Sequence, residues 1–242
     1  MVVRDLLTRG LLAGLLAGII ALGVAELIGE PQVSRAIAVE TTLHQQEGKS
    51  PEPVVVSRDL QSTAGLATGV LIIGTSLGGI FALAFAFAYG RIGRFTPRLT
   101  ALLVALAGFV GLYLIPFLKY PANPPSVGQP TTIGHRTGLY FGMILISVVS
   151  VAAAIMLARR LTDRFGAWNA VLVSLGGLVA VIAAVYWLMP AVNEVPPAFP
   201  AVTLWRFRIA SLATQLTLWA GIGIVFGILT DRSRSARAAA LG

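Results

Sequence analysis

Apolar residues in this chain fall into six blocks of near-membrane length, over residues 11–28, 64–88, 99–117, 138–158, 170–189 and 209–229. A helix rises 1.5 Å per residue, so about 20 apolar residues cross a hydrocarbon layer of about 30 Å. Only one acid, Glu26, interrupts these blocks. Backbone polar groups find no water in lipid, so each block must satisfy its own hydrogen bonds as a helix. None shows the alternation of a barrel strand. Charged residues make up 12% of the chain, about half of what a soluble domain carries. The expected fold is therefore all-α: a polytopic membrane helix bundle of about six transmembrane helices in a single integral domain over 1–242, with a longer outer loop at 29–63. Arg4 and Arg9 precede the first block as in a signal peptide, but the block is long, Gly-rich and without a small-x-small cleavage site, so it is read as a retained helix.

The formal charge of +8 raises nucleic acid as a partner. The basic residues flank apolar blocks rather than interleaving with aromatics, so they are read as topology determinants and no nucleic acid is expected. Arg4, Arg9, Arg91, Arg94, Arg98, Arg159, Arg160, Arg164, Arg232, Arg234 and Arg237 lie on one side. Arg35, Lys49, Arg58, Lys119, Arg136, Arg206 and Arg208 lie on the other, in longer loops with Glu30, Glu40, Glu47, Glu52, Asp59 and Glu194. The positive-inside rule makes the short Arg-rich side cytoplasmic, and both termini with it.

The outer loops share a plan. Each begins at a Pro (Pro31, Pro116, Pro190) and ends at an Arg (Arg58, Arg136, Arg206), and two contain an Asn followed by a Pro pair, as Asn123-Pro124-Pro125 and Asn193 before Pro196-Pro197. Two readings are open: three helix–loop–helix hairpins with a weak internal repeat, or the general frequency of Pro where helices leave a membrane.

Small residues recur four apart as Gly10/Gly14/Gly18, Gly65/Gly69, Gly74/Gly78 and Gly223/Gly227. Such stripes let helix backbones approach closely. The alternative is a substrate path along the stripe.

The acids and imidazoles carry the candidate chemistry. Glu26 and Glu30 share a face if the first helix continues past residue 28, where two carboxylates would attract a cation; the alternative is an interfacial Glu in water or paired with an Arg. Glu40, His44 and Glu47 share one face of a short surface helix over 33–46, as metal ligands or as a solvated face. His135 lies just outside the fourth block, to complete such a site or to cap a loop. Leu204-Trp205-Arg206-Phe207-Arg208 reads as an interfacial anchor, with Arg206 or Arg208 alternatively pairing an outer Glu. The chain has no Cys, which excludes thiolate sites. It has no G-x-x-x-x-G-K-[ST] phosphate loop, no H-E-x-x-H and no G-x-S-x-G, and no enzyme activity is expected.

Beyond these readings, several stretches resemble a known family. Gly14-Leu15-Leu16-Ala17-Gly18, then Gly29-Glu30-Pro31-Gln32-Val33-Ser34-Arg35-Ala36-Ile37-Ala38-Val39-Glu40, are similar to the opening of the CbtA family of predicted cobalt transporter subunits. The stretch from Lys119 to Gly128 resembles its central loop, and Met189 to Pro196 with Leu204 to Arg208 its last loop. The resemblance implies a multi-pass protein of the cytoplasmic membrane, linked to cobalt supply for cobalamin. It implies Co²⁺ as the transported ion, no permanently bound cofactor, and a small single-span partner subunit with a His-rich terminus. It marks Glu30, Arg35, Glu40, Asn123, Arg136, Asn193 and Arg206. The family's usual description has five spans, against six apolar blocks here.

Two functions compete on this footing. In the first, the chain moves a divalent cation inward, collected by outer Glu and His residues and passed to Glu26 and Glu30; two charges crossing ~100 mV release about 4.6 kcal/mol. In the second, it is an accessory subunit of a larger membrane complex or oligomer. A polar cavity between the first two helices, lined by Glu26 or Glu30, would favour transport. A solid bundle with a large exposed apolar face would favour the accessory role.

Overall fold

A computed structural model describes residues 3–46 and 56–239, and among them the chain is helical without strands. The first helix, α1 (Val3–Val24), does not stop near residue 28. It passes through one π-helical turn, Ala25–Gly29, into α2 (Glu30–Gln46). Much of the expected loop at 29–63 is therefore helical, since Val33–Gln46 holds no Gly or Pro to break it. The chain then forms α3 (Arg58–Leu60), a π turn at Gln61–Gly65, and α4 (Leu66–Ala88). Next come α5 (Pro97–Gly108), a π turn at Phe109–Leu114, and α6 (Ile115–Lys119). Last are α7 (Ile133–Leu188) and α8 (Ala201–Ala239).

Among the described residues, five continuous helices are long and apolar enough to cross a membrane: Val3–Gln45, Arg58–Ala88, Pro97–Lys119, Pro130–Leu188 and Ala201–Arg232. The expected count of about six is not established by that number. The difference lies in the fourth, whose 59 residues contain two of the apolar blocks. Within it Gly166 stands at φ 74°, ψ 159°, a conformation open essentially only to glycine. The helix folds back there. Arg136 near its start lies 3.4 Å from Glu194 just past its end, whereas a straight helix would separate residues 136 and 188 by about 78 Å. Its two limbs, 133–165 and 167–188, pack together through Met143, Val151 and Ile182, with Ile115 of α6 in the same cluster.

The centre of the bundle is α1, α4, α8 and α5. At the α1–α4 seam the glycine stripes face each other. A Cβ on Gly14 would lie 2.9 Å from the Gly78 Cα, and one on Gly78 would lie 2.7 Å from the Gly14 Cα. No side chain fits between backbones that close. The α8 helix closes over this seam, where a Cβ on Gly221 would fall 2.8 Å from the Ala17 Cβ. Phe226 of α8 meets Phe81 and Phe85 of α4 edge-on, with ring centroids 5.1 and 4.8 Å apart. The α5 helix packs on α8 with Gly223 opposite Ala105 and Gly227 opposite Arg98. At this Arg-rich end Arg98 also pairs with Asp231 at 2.7 Å. The packing reading of the stripes therefore holds for Gly10, Gly14, Gly74, Gly78, Gly223 and Gly227. It does not hold for Gly69, which has open space where its Cβ would be.

The folded-back α7 sits at the edge. Ser147 donates to the Gly111 carbonyl of the Phe109–Leu114 π turn, and the Tyr186 hydroxyl to the Ile115 carbonyl. Most of its apolar surface is exposed, including Phe141, Leu145, Trp168, Val179 and Trp187, as suits a lipid-facing helix. Gly14→Leu forces the α1–α4 seam apart and is expected to cost about 3 kcal/mol or more, whereas Gly69→Leu is expected to leave the thermal midpoint unchanged or raised. Thermal unfolding of the two purified variants in detergent checks this.

Candidate functional site

At the end of the bundle opposite the Arg98–Asp231 pair, the three long connections fold onto one another. Glu30 at the start of α2 is joined to Arg58 of α3. Ala36 of α2 is fully buried against Val127 and Phe199, one from each of the other two connections. Ser126 donates to the Ala36 carbonyl at 3.2 Å from a backbone at φ 67°, unusual for a residue with a Cβ. Lys119 donates to the carbonyls of Tyr186 and Met189 at 2.7 and 2.8 Å, capping the second limb of α7. The Tyr120 hydroxyl donates to the Pro190 carbonyl at 2.8 Å.

Between the second and third connections lies an open cleft of about 520 Å³. Its walls include Tyr120, Asn123, Arg136, Tyr140, Phe141, Asn193, Glu194 and Arg208. Glu194 is the electrostatic hub of this cleft. It accepts from the Gln129 backbone N–H at 2.7 Å and lies 3.4 Å from the Arg136 Nε. The Gln129 N–H, then the Thr132 hydroxyl, and then the charges of Arg136 and His135 hold its carboxyl below the usual carboxylate range. Arg136 itself donates to Thr132 Oγ1 and the Gln129 carbonyl, each at 3.1 Å. Gly128, at φ 115°, makes room for it: a Cβ there would lie 2.8 Å from the guanidinium carbon. Across the cleft, Arg208 of α8 donates to Asn123 Oδ1 at 3.0 Å and to the Ala122 carbonyl at 3.4 Å.

The sequence candidates separate into two sets. Asn123, Arg136 and Asn193 meet in the cleft. Arg206 does not line it and is exposed on α8; Arg208, about half a turn further on, takes that place. Arg208 pairs with an amide rather than with the outer Glu considered for it. Arg35 is exposed and donates to Gln32 at 3.0 Å. Of the proposed metal ligands, Glu30 is engaged by Arg58, the alternative open for an interfacial Glu. Glu26 is half-buried in the Ala25–Gly29 π turn, where Glu30 N–H bonds back to the Ala25 carbonyl, five residues earlier. The helix thus continues past residue 28, the condition on which Glu26 and Glu30 were expected to share a face. Glu40 and His44 lie half-buried on α2, and His135 is exposed; Glu47 falls outside the described residues. Among the described residues no three His, Asp or Glu side chains gather closely enough to hold a metal ion. Where Gly10 and Gly14 meet Gly74 and Gly78, the backbones of α1 and α4 touch and leave no room for a cavity.

Sequence reasoning missed Glu194 and Arg208 as partners in one site. Only their positions at the two ends of the last connection hinted at it. A family model described as "Probable cobalt transporter subunit (CbtA)" matches residues 3–231. No curated protein and no solved structure matches the chain.

Because Glu194 ionises at a lower pH than an ordinary carboxylate, the loop assembly has a pH dependence. Its contribution to stability is complete above the ordinary carboxylate range, about pH 4.3, and is lost as pH falls through the lower folded value. Limited proteolysis of the connections is therefore expected to accelerate below about pH 4, and Glu194→Gln to show the acid-like cleavage rate already at pH 7.

Proposed function

Because the chain belongs to the CbtA family of probable cobalt transporter subunits, we propose that it is the multi-spanning membrane subunit of a system that takes up a divalent cation, Co²⁺, in support of cobalamin synthesis. The match over nearly the whole chain carries this reading. The ligand chemistry of the chain agrees with a subunit that does not capture metal alone: two His and no Cys in 242 residues, with Glu30 already committed to Arg58. A small single-span partner with a His-rich terminus would supply imidazoles at the loop end, and Glu26 would receive the ion. Glu26 is half-buried within a membrane-spanning helix and has no hydrogen-bond or ionic partner among the described residues, the usual mark of a functional acid in a membrane.

The same proposal places the protein in the cytoplasmic membrane, with the loop end outside and both termini in the cytoplasm. The two limbs of α7 would each cross, giving six crossings in three hairpins. The Arg-rich connections at 89–98 and 159–164 support this orientation. The absence of native Cys makes a direct test available. Single cysteines at positions 92 and 163 are expected to resist a membrane-impermeant maleimide in intact cells, and one at 198 to react; labelling at 163 from outside would leave the α7 limbs on one side.

One observation favours the accessory reading: α1 and α4 pack backbone to backbone at Gly10, Gly14, Gly74 and Gly78. Uptake of radiolabelled Co²⁺ separates the two. Cells producing the chain with its partner are expected to exceed the empty-vector rate, with Glu26→Gln reducing the gain by about tenfold or more. A rate equal to empty vector, alone and with the partner, would refute transport, and a gain that Glu26→Gln leaves intact would assign conduction to another chain.

A further inference from the structure

The loop-end cleft contains a charge that the transport reading does not use. Arg208 is half-buried, and both of its hydrogen bonds go to neutral oxygens, Asn123 Oδ1 and the Ala122 carbonyl. Among the described residues it has no acidic partner. Glu194, the acid in the same cleft, is already engaged by Arg136 and the Gln129 N–H. A guanidinium withdrawn from water without a counter-charge is costly, and its planar fork suits an oxyanion. The cleft is thus poorly suited to a bare cation and well suited to an anion.

Depth identifies the anion. Trp187 ends the second limb of α7, and Trp205 stands one turn before Arg208; they are 85% and 65% exposed. Exposed Trp side chains at one end of a spanning bundle mark the headgroup level of a bilayer. The cleft wall continues along Ile133 and Phe141, both exposed, onto the apolar face of α7, where an acyl chain would lie. We propose that this cleft binds a phosphate group, that of an anionic phospholipid, with Arg208 as its charge partner and the Asn123 amide beside it. Such binding does not require the chain to transport cobalt.

The full chain, purified and exchanged into vesicles of phosphatidylglycerol and phosphatidylcholine, tests it by native mass spectrometry of the lipid retained. Wild type is expected to keep phosphatidylglycerol in preference to phosphatidylcholine, and Arg208→Gln to lower that retention about tenfold or more. Asn123→Asp offers a second variant that is not expected to unfold: it places a carboxylate beside Arg208, supplies the missing counter-charge and should displace the lipid while keeping the thermal midpoint. A parallel titration of inorganic phosphate in phosphatidylcholine discs identifies the source. Stabilisation by phosphate that depends on Arg208 would assign the same phosphate chemistry to a free anion. Equal retention of the two lipids by wild type with no effect of phosphate, or undiminished retention in Arg208→Gln or Asn123→Asp, would overturn the proposal.

Discussion

The contact between α1 and α4 is made by backbone rather than by side chains, and the rest of the bundle is arranged around it. In lipid no hydrophobic effect drives two apolar helices together, so association relies on packing and close approach. Gly10 and Gly14 against Gly74 and Gly78 provide this. The narrow seam lets α8 reach both helices at once, with Gly221 against Ala17 and Phe226 between Phe81 and Phe85. The α5 helix then attaches to α8 by a second set of small residues. A core assembled this way has little space for an aqueous path along the α1–α4 face.

Polar chemistry is displaced to the ends. At one end Arg98 and Asp231 tie α5 to α8. At the other, side chains bond backbone carbonyls of distant segments: Lys119 on Tyr186 and Met189 and Tyr120 on Pro190 where α7 ends, and Ser126 on Ala36 within α2. These bonds explain why the long connections form a compact layer. Two ion pairs form there, Glu30 with Arg58 and Glu194 with Arg136, while Glu26 and Arg208 are among the half-buried charges for which the described residues offer no opposite charge. Glu26 lies in a π turn of a spanning helix and Arg208 in an open cleft, so the two charges face different surroundings. A transporter subunit built in this way carries few strong metal ligands of its own, with two His and no Cys.

The apolar blocks, the helical class and the packing role of most Gly stripes were legible in the sequence, because each rests on a local rule: a helix satisfies its own backbone, and small residues four apart line one face. The candidate site was legible only in fragments. Asn123, Arg136 and Asn193 stood out by their placement beside Pro pairs and helix starts, and the structure brings them to one cleft. Arg206 stood out equally and is not there. Two residues decide which side of α8 faces the cleft, and a helix rotates about 200° over two residues, so sequence position alone could not choose Arg208.

The sequence by itself determined that the chain is a membrane helical bundle and which residues are free to carry charge, since the cost of burying polar groups in lipid acts on every residue independently of its neighbours in space. Tertiary structure alone decided which charges meet. Glu30 turned to Arg58, Glu194 to Arg136, and Arg208 to an amide, across separations of 28, 58 and 85 residues, the middle value being 194 less 136. Those pairings join residues far apart in the chain and are set by how the segments pack, whereas the helical run of Val33–Gln46 and the break between the two apolar blocks of α7 each had a local signal.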